Sequence, residues 1–334
     1  MTEQLRHRDD FLHASAGVAN WRESFYFGFY DQAGRAGITY ISISPHQRTI
    51  AHVIILLLPG NGANLVFMLQ EPFSDLGDSL LERGPLHFRC LKPLQHWQLQ
   101  AEVDCLSAPR SQEVSSVLAA ARTGTGPVEP VPVAFDLHFE GRMPAYRYPS
   151  GGLDFLGQGQ QHFDQMGRVA GRLRIGGEET VFDGLGGRDR SWGVRDWLRH
   201  EWYNWINLNL EGDLYVGATL SRVEGQEAGA GFVCQDGRFQ TVGKVDVEAD
   251  RDPGDLHLLS GRIRFPTEQV PTLYLDCSPI SFFHSILARE GTWQDHDCVT
   301  LVSCRWGERL GWGFWEHARR EPASPAAAGK AGLL

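Results

Sequence analysis

The stretch HFDQMGRVAGRLRIGGEETVFDGLGGRDRS, running from His162 to Ser191, decides the fold. Two runs of strand-forming residues flank Gly176-Gly177, and a two-residue glycine loop is the chemistry of a tight β-hairpin, because its central positions need positive φ. Such a loop sets the register. Ile175 is expected opposite Glu178, Arg174 opposite Glu179 as an opposite-charge pair, Asp164 opposite Asp189 and His162 opposite Ser191. Side chains alternate along a strand, so His162, Asp164, Asp189 and Ser191 share one face while Arg188 and Arg190 take the other. A β-bulge among Gly184, Gly186 and Gly187 would shift this pairing by one residue.

The rest of the chain reads the same way. ITYISIS, VIILLL, LVFML, PVAFDLHF, NWINLNL, LYVGATL and CVTLVSC are short runs rich in β-branched and aromatic residues, separated by turn chemistry such as PGNG, EG and DG. No helical pattern alternates with them, so the class is all-β, a sandwich or barrel rather than a parallel sheet. SQEVSSVLAAAR, Ser111 to Arg122, is the exception, a short helical insertion. The 334 residues suit two domains of about 150 each. A faint repeat agrees: WRESFYFGFYDQAGRAGITYIS from Trp21 and WYNWINLNLEGDLYVGATLS from Trp202 both run from Trp through an aromatic strand and a Gly-containing turn into a second strand. The expected organisation is a flexible polar segment over 1–15, a first domain over 16–199, a second over 200–320 and a low-complexity tail over 321–334.

Composition excludes several classes. A net charge of -10 with arginines scattered among acids argues against a nucleic-acid groove. Six cysteines without zinc spacing, and an N-terminus without an apolar leader, point to reduced core thiols and a cytoplasmic location. The longest apolar run, Val53 to Leu58, is too short for a transmembrane segment. Peripheral membrane contact and oligomeric state stay open.

Candidate chemistry gathers around Asp189. Asp189-Arg190-Ser191-Trp192-Gly193 is one residue away from a nucleophile elbow, but the first glycine is replaced and no strand-to-helix context surrounds it. His296 between Asp295 and Asp297 reads as a solvated strand edge, with no companion ligand cluster, so no metal is expected. Two carboxylates about 5 Å apart across a ladder cannot both ionise cheaply, so one of Asp164 and Asp189 should keep its proton near neutral pH and act as a Brønsted acid. The other reading is a structural corner in which Arg188 or Arg190 holds Asp189 ionised.

These residues resemble the carotenoid 1,2-hydratase (hydroxyneurosporene synthase) and AttH-like superfamily. The resemblance rests on W-x-E-S-F-Y-F from Trp21, His162-Phe163-Asp164-Gln165, R-D-R-S-W-G from Arg188, W-x-x-W-I-x-L-x-L from Trp202 and G-W-G-F-W-E from Gly311 to Glu316. It implies two tandem lipocalin-like antiparallel β-barrel or sandwich domains. It also implies that Asp189 protonates an isoprenoid double bond with His162 assisting; Asp164 joins them in the catalytic set. The sequence departs from the hydratase pattern at Arg190, where a histidine is expected, and at Gly187, where a tyrosine is expected. Trp192, Trp202, Trp205, Arg188, Ser191, Glu23 and Tyr26 are the expected substrate contacts. The function expected is an acid-assisted hydratase or cyclase, without cofactor, acting on an apolar isoprenoid or polyketide-like molecule in a dry aromatic cavity. The alternative is a lipocalin-like carrier that binds such a ligand unchanged.

Overall fold

The computed structural model describes residues 5–15, 17–60, 62–125, 129–149, 161–196, 198–267, 271–290 and 292–322. Ten strands make the first sheet: β1 (Trp21–Tyr30), β2 (Ala36–Ser44), β3 (Thr49–Leu57), β4 (Ala63–Pro72), β5 (Leu86–Lys92), β6 (His96–Pro109), β7 (Pro130–Gly141), β8 (Tyr146–Arg147), β9 (Gln161–Ile175) and β10 (Glu178–Val194). All but β5 and β8 form a closed antiparallel ring, because β10 pairs with β1 on one side and β9 on the other. Closure leaves this ring no free edge.

Nine strands make the second sheet: β11 (Trp202–Leu210), β12 (Leu214–Val223), β13 (Gln226–Gln235), β14 (Arg238–Val242), β15 (Asp246–Arg251), β16 (Leu258–Phe265), β17 (Leu273–Glu290), β18 (Trp293–Trp306) and β19 (Arg309–Pro322). Their spatial order is β14-β13-β12-β11-β19-β18-β17-β16-β15. The two hairpins of the faint repeat are β1–β2 and β11–β12, and in each sheet the first strand also pairs with the last, β1 with β10 and β11 with β19. Among the described residues the one α-helix, α1, spans Val114–Thr123 and ends on Gly124 in the left-handed conformation at φ 66°.

The hairpin register matches the sequence reading residue for residue. Ile175 pairs with Glu178, Arg174 with Glu179, Asp164 with Asp189 and His162 with Ser191, with no bulge between. Gly176 and Gly177 sit at φ 59° and 93°, which a side chain would resist.

Burial patterns locate the interface between the sheets. β7 alternates buried and exposed residues, as a strand with one face in a core and one in water must. β1 and β11 are buried on nearly every residue, so both of their faces are covered. From β1, Phe25, Phe27 and Phe29 enter the core of the first ring, while Tyr26 and Tyr30 turn toward the second sheet. From β11, Ile206, Leu208 and Leu210 enter the second core, and Tyr203 and Trp205 turn back toward the first. Tyr26 and Trp205 meet edge to face at 5.1 Å. The sheets approach so closely at Gly28 that a Cβ there would lie 2.8 Å from the Phe314 ring.

The N-terminal segment, expected to be loose, packs instead. A 3-10 turn over His7–Asp10 leads Asp10 into the first ring, fully buried, where Arg188 Nη1 donates to its Oδ1 at 2.6 Å. Further along, the Phe11 carbonyl accepts from Arg190 at 2.7 Å, and His13 stacks on Trp192 at 4.1 Å. Buried arginines inside the ring need acceptors, and this segment supplies them. The expected tail from 321 is strand as far as Pro322, and 323–334 lie outside the described residues. All six cysteines are free thiols.

Candidate functional site

A cavity of about 120 Å³ lies between the two sheets. Ser24, Tyr26, Ile38, Tyr40, Val53, Ile55 and Asp189 line it from the first sheet, with Arg195 just beyond β10. Trp205, Phe283, Ser285, Leu287, Asp297, Val299 and Glu316 line it from the second. The wall is apolar and aromatic with a few charged groups, the usual make-up of a small-molecule site.

Asp189 reaches the cavity because β10 alternates: Asp189 faces the second sheet while Arg188 and Arg190 face into the first ring. Its side chain keeps 15% of its accessible surface, and it lines the cavity. One oxygen, Oδ1, is buried with no hydrogen-bond partner, while Oδ2 lies 4.0 Å from His162 Nδ1. On the far side of the imidazole, His162 Nε2 is 2.6 Å from Asp164 Oδ1. Asp164 Oδ2 accepts from the Tyr148 hydroxyl at 2.8 Å and, across the interface, from Trp205 Nε1 at 3.2 Å. His162 therefore bridges the two carboxyl groups that the hairpin register sets opposite each other.

Electrostatics follow from this placement. Burial raises the Asp189 pKa above the ordinary aspartate value, Asp164 adds to the rise, and His162, Arg195 and Arg190 oppose it. Burial works against charge on His162, but Asp189 and Asp164 outweigh it and hold the imidazole pKa above its usual value. The structural-corner reading required Arg188 or Arg190 to bind Asp189. Instead Arg188 bonds Asp10 and Gln165, and Arg190 forms a buried ion pair with Glu23 and lies 4.0 Å over the Phe25 ring.

Of the expected substrate contacts, Tyr26 and Trp205 line the cavity. Arg188 and Glu23 do not line it: both are held in buried ion pairs inside the first ring. Trp192 faces that same interior, stacked on His13, and Trp202 lies on the face of β11 that carries Ile206, Leu208 and Leu210 into the second core. Ser191 shares the Asp189 face, but its hydroxyl accepts from Arg195 and does not line the cavity.

Several site residues escaped the sequence reading. Arg195, Glu316 and Asp297 come from segments whose patterns give no signal of a shared wall. Glu316 sits in the G-W-G-F-W-E run used only to recognise the fold. Asp297 belongs to the Asp295-His296-Asp297 run expected at a solvated edge, yet the three are 0%, 8% and 2% exposed, because β18 lies inside its sheet between β17 and β19. Burial raises the Asp297 pKa far above its ordinary value, with Glu316 and Asp295 adding. Glu316, accepting from the Tyr203 hydroxyl, is pushed up to about 7, chiefly by burial. Among the described residues, metal-ligand spacing occurs at Asp252, Asp255 and His257, none of which lines the cavity. No helix of the described residues is long and apolar enough to cross a membrane.

Residues 6–321 match the model of a family described as a domain of unknown function (DUF7064), and the chain belongs to that family. None of the curated proteins matches it. Among solved structures, a protein assigned as AttH from Nitrosomonas europaea is similar at TM-score 0.61 and 12% identity, over 95% of this chain and 97% of that one. CghA is similar at TM-score 0.58 and 11% identity, over 91% and 89% of the two chains. Kievitone hydratase from Nectria haematococca is similar at TM-score 0.58 and 11% identity, over 89% and 88%. The chain shares its fold with these three proteins.

Proposed function

We propose that this member of the DUF7064 family is a cofactor-independent hydratase or cyclase of apolar, isoprenoid- or polyketide-like molecules, with Asp189 as its proton donor. The observation that carries the reading is the Asp189 carboxyl: one oxygen is buried without a partner, and the side chain faces an apolar, aromatic cavity. A carboxyl in that setting favours its neutral form and loses its proton readily only to a group that arrives in the cavity. Transfer to an alkene carbon leaves a carbocation, which the faces of Tyr26, Tyr40 and Trp205 stabilise. His162, held by Asp164, stays beside the emptied carboxylate and passes back to it the proton that the closing step releases. A water, or a hydroxyl or second alkene of the same substrate, then closes the reaction as hydration or cyclisation.

Cavity size limits what reacts there. About 120 Å³ is close to the roughly 150 Å³ in which a benzene ring can be held, enough for a reacting end rather than a whole polyene. The first ring is not the binding cup of a carrier, since Phe25, Phe27, Phe29, Trp97 and Phe139 fill it. Two neighbours in fold agree with the reading: one is a kievitone hydratase, and CghA has been crystallised with Sch210972. A cytoplasmic location belongs to the same proposal. The test incubates the protein and its Asp189→Asn variant with terminal isoprenoid alkenes and follows products by mass spectrometry. The expected result is a gain of one water, or an isomer of unchanged mass, with the native protein only. Equal product from both proteins refutes Asp189 as the acid, and tight binding with no product from either supports a carrier.

A further inference from the structure

The proton donor Asp189 stands on the first sheet's wall of the cavity. On the facing wall, contributed by β19, stands a second carboxyl group with no role in the mechanism above. Glu316 lines the same cavity as Asp189, and one of its oxygens accepts a hydrogen bond from the Tyr203 hydroxyl. Its neighbours are Asp295 and Asp297 on β18, Tyr203 on β11, Tyr26 on β1 and Asp189 and Arg195 across the gap. Arg195, Arg251 and Arg190 act on these four acids and His162 and His200 lie beside two of them, yet burial still raises Asp189, Asp297 and Glu316 above their ordinary values. Asp295 is bonded to His200 at 3.0 Å, and Asp297, 2% exposed, is part of the same wall as Glu316. Asp189, Asp297 and Glu316 line the open space; burial favours the neutral acid at Asp297, which leaves Glu316 to face Asp189 as the carboxylate.

We propose that Glu316 and Asp189 form a proton-sharing pair across the cavity, in which Glu316 is a catalytic residue that takes the proton of the adding nucleophile. The inference rests on the proposed function and selects hydration within it. In the reactive form Asp189 is protonated and Glu316 is a carboxylate. The Asp189 proton bonds to one alkene carbon and the π electron pair forms that C–H bond, leaving the other carbon cationic. A water oxygen donates a lone pair to that carbon, and Glu316 takes the proton the water releases. Alkene and water become an alcohol, and the pair has exchanged the place of its one proton. The proton then returns to Asp189 and resets the site. Donor and acceptor stand on opposite walls, so hydrogen and oxygen add to opposite faces of the double bond. A base whose pKa lies near the working pH is well suited to this role, and burial brings Glu316 to about 7.

The test needs no substrate. Protein labelled with ¹³C at the Glu δ and Asp γ carboxyl carbons is titrated by NMR from pH 4 to 9, as native chain, Glu316→Gln, Glu316→Asp and Asp189→Asn, each first shown to be folded by its amide spectrum. One glutamate is expected to titrate near pH 7, to vanish in Glu316→Gln and to move to lower pH in Asp189→Asn, because a negative neighbour is gone. The Asp189 signal is expected to move down likewise in Glu316→Gln and to stay raised in Glu316→Asp. A Glu316 that titrates in the ordinary glutamate range, or two midpoints that ignore each other's removal, overturns the pair. An Asp189 midpoint at the ordinary aspartate value with Glu316 still near 7 overturns the proposed function instead, so the two failures are told apart.

Discussion

Asp10→Ala tests whether the N-terminal segment is structural. Arg188 is 1% exposed and its partner Asp10 is fully buried; two guanidinium nitrogens reach the carboxylate, at 2.6 and 3.3 Å, and Nε donates to Gln165 at 2.9 Å. The guanidinium also lies 5.1 Å from the Phe163 ring and 5.7 Å from Trp97. Truncating Asp10 leaves a charge in the core with one amide and several rings for company, and breaking such a pair costs about 3–5 kcal/mol. Arg188→Met alone should cost a similar amount, because Asp10 keeps only the Leu94 amide and a 3.4 Å contact from Trp97 Nε1. The double variant Asp10→Leu/Arg188→Met removes both charges and should return to within about 1 kcal/mol of the native chain, since apolar replacement of a buried pair is often neutral. The assay is urea unfolding at 25 °C and pH 7; with a slope near 3 kcal/mol/M each single variant moves the midpoint down by roughly 1 M or more. A loss below about 1 kcal/mol for Asp10→Ala, or a double variant as unstable as the sum of the singles, would refute the argument. The segment would then be a loose cover of the first ring.

Asp189→Asn should lower turnover on the order of a hundredfold or more with folding intact, while Ser191→Ala keeps most activity. Steady-state rates for the two variants decide this, and the reverse ranking would restore a serine nucleophile. Asp164→Asn should lower the His162 imidazole pKa, because a carboxylate 2.6 Å from Nε2 favours the charged ring; a ¹H–¹⁵N titration of the ring reads it, and an unmoved midpoint counts against the bridge. Glu316 contributes to pH-dependent stability with a definite sign. Its folded pKa of about 7 stands above the usual 4.5, so between those values the unfolded chain loses this proton first and stability falls as pH rises. The difference between native and Glu316→Gln should grow by on the order of 2–3 kcal/mol across that window, measured as urea midpoints at each pH; parallel curves would mean an ordinary glutamate.

Strand class, the Gly176-Gly177 hairpin and the pairing of Asp164 with Asp189 were legible in the sequence, because a strand has a period of two and a glycine loop leaves one register. The same alternation separated Asp189 from Arg188 and Arg190. It could not say which face looks into the ring and which toward the other sheet, since both faces of β1, β10 and β11 are covered and the burial signal vanishes there. That choice placed the expected contacts: Tyr26 and Trp205 line the cavity, while Arg188, Glu23 and Trp192 face into the first ring and Trp202 lies on the other face of β11. Glu316 and Asp297 became site residues only through the docking of two sheets, and no spacing records that they share a wall with Asp189, more than a hundred positions away. The N-terminal segment is polar and reads as solvated, yet its acids are buried because two arginines inside the ring required partners. Local periodicity determines what each strand is; the desolvation of charges brought together from distant strands determines what the site can do.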